Sequence, residues 1–203
     1  MAAPRRIKPI LILAVIGASG LALLAWTQVW ATVRLAADGT NQQVLDVTGT
    51  IAAPGLTALA LAGLALAGAL TIAGVVIRIV LGILEMLLGV SVILSAALAL
   101  ADPVGASAAA VTAATGIAGT DSTRAAVQSA ALTFWPFLAL AAGVLMVVVG
   151  LVVCVSARRW PGPTTRYETT RFQPVTDAAT GRPRPRDAVD DWDGLTRGDD
   201  PTA

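Results

Sequence analysis

The side chains able to do chemistry are few in this chain. There is no histidine, so the commonest general base and the commonest metal ligand are both missing. The single cysteine, Cys154, excludes an intrachain disulfide and a thiolate metal cluster, and its position suits a buried structural thiol. Within the long apolar stretches the one acid is Glu85, with Arg78 seven residues before it. A carboxylate at mid-bilayer costs about 2.5–3.5 kcal/mol on insertion scales, which makes Glu85 a candidate for carrying a proton or cation. The favoured reading, because Glu85 lies about five residues into its expected helix, is a shallow carboxylate, hydrated or paired with Arg78, that fixes helix rotation. The stretch GASG at 17–20 holds Ser19 within an apolar run, but a serine nucleophile needs a base. The one lysine, Lys8, lies outside that run at the bilayer surface. No nucleophile–base pair can be assembled, so the chain is expected not to be an enzyme. No cofactor or metal site is expected either.

These residues must be held by an apolar scaffold. The 203-residue chain is 56% hydrophobic with mean hydropathy +0.75, and only 13% of its residues are charged. Soluble domains carry about 25% charged residues, so this balance belongs to a membrane protein with polar ends. A net charge of +1 argues against nucleic acid as a partner.

MAAPRRIK at 1–8 leads with three cations into an uncharged run at 9–31, PILILAVIGASGLALLAWTQVWA. At about 1.5 Å per residue that run exceeds the roughly 30 Å hydrocarbon core. Trp26 and Trp30 are expected at its outer interface. The run is expected to stay as a helix rather than leave as a signal peptide, because it is long and further spans follow. Residues 32–54 read as a polar external loop. Residues 55–101 divide into helices at 55–76 and 80–101 around a tight turn near 76–79, which would leave Arg78 snorkelling at the membrane surface. The Leu–Ala alternation of LTALALAGLALAGAL reads as helix, since Ala and Gly are poor strand residues. Residues 102–130 read as a second external loop with room for a short surface helix. A last span covers 131–156, with Trp135 and Pro136 near its outer edge. Small residues at helix-packing spacing (Ala65, Ala69, Ala73; Ser91, Ser95, Ala99; Gly143, Gly150) support a compact bundle.

The fold class expected is therefore all-α: an integral membrane protein of four transmembrane helices with a disordered cytoplasmic C-terminal tail. Residues 1–8 form its cytoplasmic N-terminus, 9–156 its membrane domain and 157–203 its tail. Eight Lys and Arg residues lie close to the membrane on the side of the two termini, against Arg34 and Arg124 on the other. The positive-inside rule then puts both termini in the cytoplasm, in a plasma-membrane protein. The tail has six Pro and no apolar periodicity, as a disordered segment does. Its charge is split: residues 157–186 carry net +5 and residues 187–203 net −5. The basic half can lie on anionic headgroups while the acidic end projects away. There, Trp192 and Leu195 are three apart and would share one face of a helical turn, suited to a partner's groove.

The ending WDGLTRGDDPTA resembles the carboxy-terminal signature of the actinobacterial tryptophan-associated transmembrane family. Trp192, Asp193, Leu195, Arg197, Gly198, Asp200, Pro201 and Thr202 fit that pattern, whereas Gly194, Thr196 and Asp199 depart from it. RRWPGPTTRY at 158–167 and VTGTIAAPGLTALALAGLALAGAL at 47–70 are similar to further family segments, and Glu85 falls in none of them. The resemblance implies a four-span membrane protein tied to tryptophan biosynthesis, whose biochemical activity the family leaves open. The expected partners are then the lipid bilayer, a soluble cytoplasmic protein such as a tryptophan-pathway enzyme docked on Trp192 to Pro201, and a further copy in a homo-oligomer. The alternative is a small transporter of tryptophan or a related aromatic metabolite. The orientation is checked directly by reporter fusions. Green fluorescent protein fused after Ala203 should fluoresce and alkaline phosphatase at the same place should be inactive, with the reverse for insertions near residue 117.

Overall fold

The computed structural model describes residues 4–35 and 43–159. Helix α1 runs Pro4–Thr27, α3 Leu56–Ile72, α4 Val75–Ala101 and α8 Trp135–Ser156. Among the described residues three stretches are long and apolar enough to cross a membrane: Ile7–Thr27, Val75–Ala101 and Trp135–Ser156. The fourth helix, α3, is equally apolar but has 17 residues. Its Leu–Ala run is helical as expected, because Ala and Leu are the strongest helix formers.

These four helices close a ring in which α1 packs on α3 and α8, and α4 packs on α3 and α8. The Lys8 Nζ donates to the Thr71 carbonyl at 2.7 Å, so the start of α1 meets the end of α3 and the two run antiparallel. The interior is inverted relative to a soluble core. Inward positions are dominated by Ala and Gly, including Ala18, Ala22, Ala60, Ala96 and Ala142, while Leu13, Leu87, Leu94, Val148 and Leu151 point outward. Outward bulk suits lipid, and inward small residues let backbones approach.

The approach is closest between α4 and α8. The buried face of α4 is Arg78, Gly82, Glu85, Gly89, Val92, Ala96 and Ala99, which alternates steps of four and three. Ala139, Gly143, Met146, Gly150 and Val153 make the matching face of α8. This is a heptad seam of the kind that supercoils two helices. A Cβ placed on Gly89 would lie 2.8 Å from the Gly143 carbonyl oxygen, and one on Gly143 would lie 2.9 Å from that of Gly89. Gly82 and Gly150 are in the same reciprocal relation, at 2.9 and 2.7 Å. Rising numbers on α4 meet falling numbers on α8, so the pair is antiparallel. Gly143 and Gly150 pack as expected, but the other small-residue ladders do not each form one face, since Ala65 and Ser91 are exposed.

Several boundaries differ from the sequence reading. The first helix ends at Thr27, and Val29–Leu35 is a strand, β1. Trp30 therefore sits in β1, 1% exposed, where its indole Nε1 donates at 2.7 Å to the Ala25 carbonyl at the end of α1. The helix's last carbonyls have no internal partner, and the indole supplies one. The turn between α3 and α4 is Ala73–Gly74, both extended, and not 76–79. The last helix starts at Trp135, with residues 131–132 in a strand.

The chain is thus not all-α. Strand β1 lies between β2 (Val44–Thr48) and β3 (Val127–Leu132) in an antiparallel sheet of order β2-β1-β3. One face, with Ala31, Val33, Leu35 and Val47, is covered by Val111 of α6 (Ala108–Thr115) and its neighbours. The regions expected as two separate external loops are joined in this one sheet. Short helices α2 (Gly49–Ala52), α5 (Pro103–Ala106) and α7 (Thr120–Ala126) complete the connections. After α8 comes a single 3-10 turn, Ala157–Arg159. The remaining tail expected to be disordered lies outside the described residues.

At the C-terminal end of α4 the Asp102 carboxylate accepts the Gly105 N–H at 2.9 Å and pairs with Arg124 at 2.6 Å. The Gly105 N–H, then Arg124, holds this carboxyl below the usual aspartate range. Its contribution is therefore complete above that range and is lost as pH falls through the lowered value.

Two outcomes follow from this packing. Gly89→Val should lower the melting temperature in detergent by an amount equivalent to about 1–3 kcal/mol of overpacking. Gly17→Ala, where an added Cβ meets nothing within 4 Å, should not. Asp102→Asn keeps an acceptor for the Gly105 N–H but loses the charge, so it should melt slightly lower than the parent at neutral pH. That difference should vanish in acid below the aspartate range.

Candidate functional site

Moving the helical turn to Ala73–Gly74 moves Glu85 with it. Glu85 lies ten residues after Val75, about 15 Å along the axis at 1.5 Å per residue. That is within one turn of the middle of the 27-residue α4. The shallow, hydrated carboxylate expected from a later turn is thereby corrected. Glu85 is 0% exposed, and neither of its oxygens has a hydrogen-bond partner among the described residues. On the seam it stands between the two glycine contacts, with Gly82 on one side and Gly89 on the other.

Arg78, 2% exposed, occupies the same face of α4 two turns nearer the helix start. It is a packed side chain one turn inside α4, and its backbone N–H donates to Gly74 at 2.9 Å. The structure does not join it to Glu85 in an ion pair, since the Glu85 oxygens accept no hydrogen bond. Cys154 reaches the same seam from α8. Its Sγ donates to the Ile79 carbonyl at 3.5 Å and would lie 2.6 Å from a Cβ on Gly82, which fits a packing role.

Ser19 is fully buried on α1, against Gly63 of α3 and near Met146 of α8, and its hydroxyl has no partner among the described residues. Lys8, the one lysine, is engaged three turns away with Thr71 and is not brought to it. Thr57 Oγ1 and Trp26 Nε1 are also buried without a partner among the described residues. Sequence reasoning passed over Thr57 and expected the Trp26 indole at the outer interface. The signal available was only that each is a lone donor within or beside an apolar run.

A cleft of about 380 Å³ opens beside the C-terminal end of α4, lined by Ala52–Pro54, Ser95, Leu98, Ala99, Asp102, Gly105 and Ala106. It arises because α4 continues past the start of the shorter α3. Its polar groups are few, and Asp102 is already engaged by Gly105 and Arg124. The docking candidates Trp192, Asp193, Leu195, Arg197, Gly198, Asp200 and Pro201 lie outside the described residues. Among the described residues no group of three or more His, Cys, Asp or Glu could hold a metal ion.

No curated protein and no solved structure matches this chain. A family match does exist, and it takes in the four bundle helices, the sheet and the tail. Over residues 11–202 the chain matches the tryptophan-associated transmembrane proteins, and it belongs to that family.

Proposed function

We propose that this protein is a non-enzymatic, four-span protein of the plasma membrane that tethers or regulates a soluble cytoplasmic partner through its C-terminal tail. The observation that carries this reading is the reach of the family match, which continues beyond the last helix to residue 202. A tail that served only to keep the end of the chain in water would need charge but no particular residues. Here an acidic segment presents Trp192 with Leu195, an aromatic anchor of the kind that dominates interface energies. The family's association with tryptophan points to a tryptophan-pathway enzyme as the partner.

In this arrangement α3 is the fourth span. Its 17 residues reach about 25 Å, at the short end of what crosses a bilayer, and the turn at Ala73–Gly74 returns the chain directly into α4. Both termini then share the cytoplasmic face. The rival reading, a small transporter of tryptophan or a related aromatic metabolite, draws on Glu85. The α4 and α8 backbones meet on either side of Glu85, which disfavours passage of an indole through that seam.

In-cell crosslinking and pull-down of the full chain beside a version ending at residue 186 tests the tether. A soluble enzyme should be recovered with the full chain and lost, at least tenfold, with the truncated one. Equal recovery from both would overturn the proposal and turn attention to flux across the bundle.

A further inference from the structure

A carboxylate oxygen without a hydrogen-bond partner in an apolar interior is among the costliest arrangements a fold can hold. Glu85 has two such oxygens, in the middle of α4, fully buried in the α4–α8 seam. We propose that Glu85 is a proton-binding site at the centre of the bundle, a function independent of the tail. The proton is the ligand that the geometry admits. A metal ion needs several oxygen donors around it, and Glu85 is the one acid within α1, α3, α4 and α8.

The other elements packed around the seam bring little that could compete for the proton. From α8 the titratable side chain on this seam is Cys154, already directed at the Ile79 carbonyl. Among the described residues α1 and α3 contribute no buried charged side chain, and their buried polar atoms are the Ser19 and Thr57 hydroxyls and the Trp26 indole N–H. Lys8 lies at the far inner end, held by Thr71. The seam is closed by backbone contact one turn away in each direction, at Gly82–Gly150 and Gly89–Gly143. Parting of α4 and α8 would open Glu85 to proton exchange, which couples occupancy of the site to movement of that seam.

Infrared difference spectroscopy of the full-length protein in lipid vesicles tests this, comparing the parent with Glu85→Gln in neutral buffer containing choline, sodium or potassium chloride. Glutamine keeps the side chain's size without a titratable proton. Circular dichroism and melting temperature establish that the variant is folded. The expected result is one C=O stretching band of an undissociated carboxylic acid, present in the parent, absent in Glu85→Gln and unchanged by either metal cation. The other acids of the chain contribute bands common to both proteins and cancel in the comparison. A difference spectrum showing carboxylate bands in place of the acid band would overturn the proposal. Conversion of the acid band to carboxylate on adding sodium or potassium would also overturn it, in favour of a cation site.

Discussion

The contact between the α4 and α8 backbones is what the rest of the bundle is built around. In lipid, apolar side chains gain little by leaving one hydrocarbon for another, so helices associate through close packing. Two glycine pairs, Gly82 with Gly150 and Gly89 with Gly143, supply that packing here. Their seven-residue spacing on both helices makes the contacts repeat with the heptad, so one register of the antiparallel pair satisfies both at once. A slip of one residue would bring side chains against backbone at both places. Helices α1 and α3 then fill the remaining sides with Ala-rich faces, and the large aliphatic residues are left for the outside.

The same seam explains why a carboxylate can sit where Glu85 does. Its insertion costs about 2.5–3.5 kcal/mol in mid-bilayer. The packing on either side of it must offset that cost. Exchanging such a buried charged group for an apolar one of similar volume commonly leaves stability unchanged or raises it. Glu85 is therefore not explained as a stabilising residue, unlike the glycines that flank it. The Asp102–Arg124 pair is a different case. It is exposed, screened by water, and contributes mainly by closing the corner after α4.

The helical part of the fold was legible because composition and span length carry it. Uncharged runs of Leu, Ala, Val and Ile admit few structures other than helices in a bilayer. Gly143 and Gly150 were legible as packing positions, but their partners were not, because spacing alone does not say which helix a face meets. The sheet was missed for a definite reason. In TQVWATV the chain passes from helix to strand without a charge, a Pro or a Gly, and its β-branched residues were the only warning. The strands Val44–Thr48 and Val127–Leu132 are short, and the second is poor in strand formers, so neither stands out until β1 pairs with both. Trp30 belongs to the same error. An indole near the end of an apolar run suggests a headgroup anchor, yet here it closes α1 by capping the Ala25 carbonyl.

The largest consequence came from a displacement of a few residues. The turn near 76–79 was suggested by the charge of Arg78, whereas the turn at Ala73–Gly74 carries no charge and is marked only weakly by Gly74. Each residue of displacement moves everything beyond it about 1.5 Å along the helix axis and about 100° around it. The earlier turn thus carries Arg78 from the surface into α4 and carries Glu85 from near an interface to mid-helix. Burial of both on one face is then a single fact, since they are separated by two heptad-spaced turns. Whether an ionisable residue in a membrane protein reads as a surface anchor or as an interior site can rest on where a two-residue turn falls. In this chain the glycine contacts decide it. With Gly82 and Gly89 fixed against α8, the position midway between them has nowhere to face but inward.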